Sequence, residues 1–412
     1  MNKPRDVRMR GFASRSTVED VLSWIDENSD SLPSETVSLN DAPGRVLAED
    51  VVAPMNVPPF ERSAMDGYAL LAEETTGATD YNPLSFEVLG ASMPSQPFGG
   101  NVATGTAVRI MTGAPLPEGA TGVVPVEYAS EENGRVAITL PIAVGKHVGR
   151  IGEDICEGTC VLSAGRVLRP QDLGVVASLG IARLSVVRRP RVRIVTTGNE
   201  LAEPGSTRDE FQIFDANTSI LRALVERDGA DLESAKRVED SESAIREALT
   251  SGDVDVVLVG GGSSVGAEDF APQILADVGE LPIHGVAMRP SSPSGMGRIG
   301  QRLVFLLPGN PVSCLCAYDF FAGRCLRLLG GRPKDWPYVS KQVRLTRKVS
   351  SVVGRLDYCR VAIDGDDCEP IAISGASILS STTRADGFLV VPPGSEGYAE
   401  GAEVTAYKYS GV

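Results

Sequence analysis

The chain has 412 residues, 42% hydrophobic and 23% charged, with 39 basic against 54 acidic side chains and a formal net charge of −15. That length exceeds what one core normally serves and predicts about three or four domains, while no apolar stretch reaches the roughly 20 residues that span a bilayer and the acidic balance argues against a general nucleic-acid binder. Two histidines and seven cysteines, with no second pair of ligands at zinc-finger spacing, speak against a His-rich metal site or a His-based triad and favour buried, reduced thiols.

The first residues are basic without a following apolar segment, which predicts a short disordered tail rather than a secretory signal, and hence a cytoplasmic protein. In "STVEDVLSWIDENS" Val18, Val21, Leu22 and Ile25 recur at helical spacing behind Ser16, with Glu19 in the capping-box position. From Thr36 to about Gly180 the pattern changes to short β-type runs, such as "TVSL", "AVRI" and "TGVVPV", broken by Gly and Pro, with no long helix. Residues 191–330 alternate apolar strands ("RVRIVTT", "VDVVLVGGG", "RLVFLLPG") with helices ("NTSILRALVERDG", "SAIREALTSG", "EDFAPQILADVG", "PVSCLCAYDFFAGRCLRLLGG"). This is the signature of a mostly parallel, doubly wound sheet covered on both faces. After "GGRPKDWP" short strands return, predicting a small closing β domain. Composition shifts near residues 57, 146, 189 and 335 mark the boundaries.

Sites in wound sheets lie at the carboxyl ends of the strands, and three loops leave this one there. In "GGGSSVGAEDF" the backbone N–H groups and hydroxyls of Gly260, Gly261, Gly262, Ser263 and Ser264 could cradle an anion, although a plain Gly-rich turn fits equally and neither the dinucleotide nor the Walker spacing is present. In "LPGNPVS" the run Pro308, Gly309, Asn310, Pro311 is either a stiff start to a helix or a rigid wall for a flat ring. Carboxylates recur at these ends: Glu200, Asp215, Glu239, Asp240 and Asp269. Mg²⁺ bridging them to a phosphate would explain the surplus, with Asp215, Glu239 and Asp269 as the candidate ligands. The rival reading has Asp240 capping the next helix and Asp215 preceding a cap at Asn217. Asp66 ("SAMDGYA") and Asp154 ("RIGEDICEG") lie outside the wound sheet and read as turn acids unless their modules reach its active edge.

The segments "PPFERSAMDGYA", "RIMTGAPLPEGATGVV", "VGRIGEDICEG", "TTGNEL", "FDANTSIL", "GGGSSVGAEDF", "LPGNPVS" and "SGASILSS", in this order from about Ser14 onward, resemble the molybdopterin molybdenumtransferase family, to which the E domain of gephyrin belongs. The resemblance implies an elongated subunit, usually a head-to-tail homodimer. It assigns residues 1–13 to the tail, 14–57 with 146–188 to a split elongated domain, and 58–145 to a β-rich module. Residues 189–335 become an α/β/α molybdopterin-binding domain and 336–412 a C-terminal β barrel. The implied reaction inserts molybdate into adenylylated molybdopterin with Mg²⁺ and releases AMP. Carried over by motif, Asp66, Asp154 and Asp269 would serve metal insertion and Arg289 the oxyanion. Thr112, Glu200, Ser292, Ser381 and Pro308 to Pro311 would bind substrate. The molybdopterin adenylyltransferase and the recipient molybdoenzymes are the implied protein partners.

This chain departs from the family pattern at Asn199, and at Gly285 and Ser292, where lysines are usual; Arg289 keeps a cation. Arg is a rigid fork where Lys is a mobile point charge. The departures therefore admit a second reading, a catalytically weakened paralogue acting as a dimeric scaffold for a partner peptide, and a third, a preference for tungstate.

Overall fold

The computed structural model describes residues 15–262 and 270–409; the tail 1–13 and the loop residues Ser263, Ser264 and Asp269 lie outside them. The chain forms two compact units, one running to Glu35, taking in Gly44–Val46 and resuming at Ser185, the other formed by Thr36–Pro43 and Leu47–Leu184.

The first unit is built on a six-stranded sheet. Arg191–Thr197 pairs in parallel with Asp231–Val238 on one side and Val256–Gly260 on the other, which in turn pairs with Arg302–Leu307. Gly295–Ile299 and Glu280–His284 complete it antiparallel, so the sheet is mostly parallel as its apolar strands predict. Side-chain alternation decides the layers. Val192 and Ile194 face Leu221 and Val225 of helix Asn217–Arg227 and the long C-terminal helical run. Val195, Val257 and Val259 face Ile245, Leu249, Ile274 and Leu275 of helices Glu242–Thr250 and Ala271–Val278.

The helix Val18–Asn28 packs Val21 and Ile25 into the same core. Its cap falls one residue later than the spacing suggests: Thr17 accepts the Asp20 amide, and Asp20 returns the bond, so Thr17 and Asp20 form the capping box rather than Ser16 and Glu19. The long helix predicted after Pro311 is continuous but not uniform. Pro311–Ala317 passes through a π segment, Tyr318–Ala322, into Gly323–Leu329. The π segment sits where Asp319, fully buried, accepts from Arg227 and from the Tyr338 hydroxyl, each at 3.0 Å.

Residues 339–408 close a five-stranded barrel in which Leu356–Asp364 pairs with both Asp367–Ala372 and Gly387–Val391. One short strand from outside joins it: Met288–Arg289 lies parallel to Leu356–Asp357, with Arg289 opposite Asp357.

The second unit carries a six-stranded sheet in the order Gly122–Pro125, Gly67–Leu70, Thr106–Ile110, Leu84–Ser92, Arg135–Ile138, Ala129–Glu132. Leu70, Phe86, Val124, Val136 and Ile138 fill its core. Five cysteines are buried, as expected of reduced thiols, while Cys156 and Cys160 are exposed and also unbridged. Among the described residues no helix is long and apolar enough to cross a membrane.

Candidate active site

Three strand ends and the loops after them enclose a cleft of about 580 Å³ at the carboxyl edge of the sheet. Thr197 and Gly198 come from the first strand, Gly260–Gly262 from the third, and Pro308–Pro311 from the last. Gly261 takes φ +96°, and a Cβ there would meet the Thr197 carbonyl oxygen at 2.6 Å, so only glycine lets the backbone line the cleft at this point. Asn217 closes the floor. Its Nδ2 donates to the Gly309 carbonyl at 2.8 Å, tying the helix Asn217–Arg227 to the proline-bracketed loop. Asn217 Oδ1 and Thr197 Oγ1 are buried and have no hydrogen-bond partner among the described residues. Buried polar atoms are almost always paired in native folds, and both of these belong to residues that line the cleft. The sequence offers Asn217 only as a helix cap and does not mark Thr197, for which a polar residue closing an apolar strand is the available signal.

A second cleft, about 680 Å³, adjoins the first and shares Pro293, Pro308 and Asn310 with it. It is lined by Arg289, Arg355, Arg15, Ser291, Ser292 and the run Ser374–Ala376. Arg289 donates to Asp357 Oδ2 at 2.5 Å, Ser351 donates to the same oxygen at 2.7 Å, and Arg355 Nε lies 3.1 Å from Oδ1 without the alignment of a hydrogen bond. Behind them Arg360 is wholly buried, with one guanidinium nitrogen on the Ser374 carbonyl and the other two without a partner. The Ser292 hydroxyl is likewise buried and without a partner among the described residues. Ser291 is held at φ +93°, a conformation L residues rarely adopt, by its hydroxyl bond to the Ser313 carbonyl at 2.7 Å.

In the other unit Asp66 is exposed, and its Oδ1 accepts from both the amide and the hydroxyl of Thr112, each at 2.7 Å. The Thr112 amide first, and its hydroxyl second, hold the Asp66 carboxyl below the usual carboxylate range. Gly67 is not a turn residue here. It opens a strand, and a Cβ on it would lie 1.9 Å from the Val124 carbonyl oxygen, so the close approach of the neighbouring strand demands glycine. Asp154 is exposed on an adjacent loop: its amide donates to Val57, Gly152 donates to Pro58, and Ser63 pairs with Val148. The two loops carrying Asp66 and Asp154 are therefore laced together by backbone hydrogen bonds.

Other expected positions resolve differently. Asp215 is 7% exposed, and its carboxylate accepts Thr218 N at 3.0 Å, Thr218 Oγ1 at 2.6 Å and Thr196 Oγ1 at 3.0 Å. It caps the helix through the Thr218 amide and also lines the first cleft, while Asn217 lies inside the helix. Ser241, not Asp240, caps the helix Glu242–Thr250, because its hydroxyl accepts the Ala244 amide at 3.3 Å; Asp240 instead accepts the Asn199 amide at 3.1 Å and lines the first cleft. Glu200 also lines that cleft. Glu239 is exposed and is not among the lining residues. Ser381 is 1% exposed and donates its hydroxyl to the Ile378 carbonyl at 2.5 Å, so it is structural; Ser377 is the barrel serine that lines the first cleft. Among the described residues no three His, Cys, Asp or Glu side chains cluster as a metal site requires. Of the expected Mg²⁺ ligands, Asp215 lines the first cleft and accepts three hydrogen bonds, Glu239 does not line it, and Asp269 lies outside the described residues.

Comparison with known proteins follows the same three parts. Residues 16–180 match the MoeA N-terminal region (domain I and II), 193–327 a probable molybdopterin binding domain, and 342–409 the MoeA C-terminal region (domain IV). The molybdopterin molybdenumtransferase 2 of Mycobacterium tuberculosis is 38% identical over 80% of this chain and 83% of its own length. A putative molybdopterin biosynthesis protein of Methanocaldococcus jannaschii is 31% identical over 96% of each. Among solved structures, a molybdopterin biosynthesis MoeA protein from Pyrococcus horikoshii superposes with a TM-score of 0.83 at 30% identity, covering 97% of this chain and all of that one. A wound sheet with two joined clefts, a terminal five-stranded barrel and relatives of this identity over nearly the full length place the chain in the molybdopterin molybdenumtransferase family.

Proposed function

We propose that this chain inserts molybdate into adenylylated molybdopterin, releasing AMP and forming molybdenum cofactor. The observation that carries the reading is the junction of the two clefts at Pro293, Pro308 and Asn310. One offers strand-end glycines and orphaned polar atoms to phosphates, the other arginines to an oxyanion, so the two substrates would meet at the shared wall.

In this proposal the nucleotide-bearing pterin lies along Gly260–Gly262, with a flat ring against Pro308–Pro311. Breaking the phosphoanhydride by water leaves charge on phosphate, which backbone N–H groups of the glycine loop and of Ser263 and Ser264 stabilise. Arg289 and the Ser292 hydroxyl hold the oxyanion. Asp269, Asp66 and Asp154 relay the protons lost by the two pterin thiols to the oxygen that the sulfurs displace from molybdenum, which leaves as water. Mg²⁺ dependence belongs to this proposal as well. Because Asp215 is occupied, such an ion would rest on the substrate phosphates with Asp269, Glu200 or Asp240; no step is assigned to it.

Asp66, with Thr112 behind it, and Asp154 would reach the site from the second subunit of a homodimer. Supporting this, Asp66 is flanked by exposed Phe60, Met65, Met111 and Val126, apolar surface of the kind that marks an interface. The proposed setting is the cytoplasm, with an adenylyltransferase supplying the substrate and molybdoenzymes receiving the product. The scaffold reading rested on the lost lysines, and Arg289 and Arg355 keep the second cleft cationic without them.

The test is direct. Purified protein given adenylylated molybdopterin and Mg²⁺ releases AMP when molybdate is added; the absence of molybdate-dependent AMP from competent substrate rejects catalysis. Asp66→Ala and Asp269→Ala abolish insertion with the fold retained.

A further inference from the structure

Arg289 and Arg355 reach the second cleft from different parts of the fold, one at the end of the short strand Met288–Arg289 and one just before the barrel strand Leu356–Asp364. Each arginine side chain is about one-third exposed, and one carboxylate lies against both: Asp357, whose side chain has no exposed surface. Its Oδ2 takes Arg289 and Ser351, and its Oδ1 stands 3.1 Å from Arg355 Nε. The Nε atoms of Arg289 and Arg355 are buried and without hydrogen-bond partners among the described residues. The pair is thus aimed by one acid and leaves donor capacity unspent.

We infer that Asp357 is a positioning residue: from behind the cleft it fixes Arg289 and Arg355 as a rigid pair of donors for the incoming tetrahedral oxyanion, in place of cations on the mobile stems of lysine. This rests on the reading that the oxyanion binds in this cleft. The physical reason is that a guanidinium presents its donors in a fixed plane, so its usefulness depends on orientation, whereas an ammonium works from many angles. The strand pairing that sets Arg289 opposite Asp357, and the serine held at φ +93° two residues after Arg289, both confine the arginine backbone as well.

Two forces act in opposite directions on the obvious variant. Asp357→Asn withdraws a negative charge near the anion, which by Coulomb's law alone tightens binding. It also removes the charge that accepts from Arg289 and lies 3.1 Å from Arg355 Nε, which loosens binding. The positioning role requires the second effect to win.

The experiment is calorimetric titration of the intact protein with sodium molybdate, with circular-dichroism melting of each variant. Asp357→Asn is expected to weaken molybdate binding by about tenfold or more, the scale of a lost charged hydrogen bond, and Ser351→Ala, which only frees the carboxylate, by a smaller factor. In turnover, KM for molybdate rises and kcat at saturating molybdate is kept, a split that general loosening of the fold does not produce. Unchanged or tighter molybdate binding in Asp357→Asn overturns the proposal. Should that variant fail to fold, unchanged binding in Ser351→Ala overturns it instead. Arg289→Ala separates the two levels: if it leaves molybdate affinity untouched, the oxyanion does not bind in this cleft and the underlying reading falls with the proposal. If it weakens binding while Asp357→Asn does not, only the positioning role fails.

Discussion

Replacing Asp215 separates a structural carboxylate from a metal ligand. In the folded chain it accepts three hydrogen bonds, from the Thr218 amide, the Thr218 hydroxyl and the Thr196 hydroxyl, in a site 7% exposed. Asp215→Ala removes the acceptor for all three. The two hydroxyls already stand 3.4 Å apart and can turn toward one another, so only the Thr218 amide is left buried without a partner. Loss of a cap costs about 1–2 kcal/mol, the stranded Thr218 amide included, so about 2 kcal/mol is expected. Asp215→Asn keeps an acceptor oxygen and should cost about 1 kcal/mol, near the net value of one hydrogen bond. Urea unfolding followed by far-UV circular dichroism reads the loss, and hydrogen exchange locates it as faster exchange of the Thr218 amide and its neighbours in the first turn of Asn217–Arg227. The concentration of Mg²⁺ giving half-maximal turnover stays the same in Asp215→Asn. If instead the Asn variant keeps wild-type stability and amide protection but needs far more Mg²⁺, the capping argument is wrong and the residue is a metal ligand.

Thr112→Val removes one of the two donors on Asp66 but keeps the amide, so the Asp66 pKa rises toward the ordinary carboxylate range; the acid limb of the pH–rate profile should move to higher pH, and an unmoved limb would contradict the assigned role of Asp66. Asp26 bridges Arg324 and Lys334, and those partners, Arg324 foremost, hold its pKa down to about 2. Its contribution is present above the unfolded carboxylate pKa near 4 and is lost as pH falls through the folded value; Asp26→Asn should therefore lower stability at neutral pH and flatten the loss between about pH 4 and 2, as measured by urea unfolding across that range. Gly67→Ala forces a methyl group into the Val124 carbonyl and should destabilise the second unit by about 3 kcal/mol, the upper range for overpacking, visible as early protease cleavage within residues 47–184.

What could be read from the sequence was what repeats locally. The strand Arg191–Thr197 and the helix Asn217–Arg227 announce themselves by periodicity, and the glycines and prolines of the strand-end loops by composition. Caps were misplaced by one or two residues, Ser16 for Thr17 and Asn217 for Asp215, because several neighbouring side chains there have the right chemistry and only the backbone geometry chooses among them. Ser381 matches its motif, yet the turn of Ser380–Thr383 directs its hydroxyl inward. Arg355 and Asp357 escaped notice for a different reason. Their significance comes from a parallel pairing between residues almost 70 positions apart, Arg289 opposite Asp357 and separated by 68, and nothing in "GRLDY" reports that neighbour.

The same pairing changes how the terminal barrel should be regarded. Arg355 and the Ser374–Ala376 wall belong to it, and so does the carboxylate that aims Arg289. A chain ending at Gly331 would keep the glycine-rich floor, the proline loop, Arg15 and Arg289, while losing Arg355, the Ser374–Ala376 wall and the carboxylate to which Arg289 donates. On the proposed reading the barrel supplies part of the oxyanion pocket, so shortening the protein from this end should cost it molybdate binding before it costs it the nucleotide.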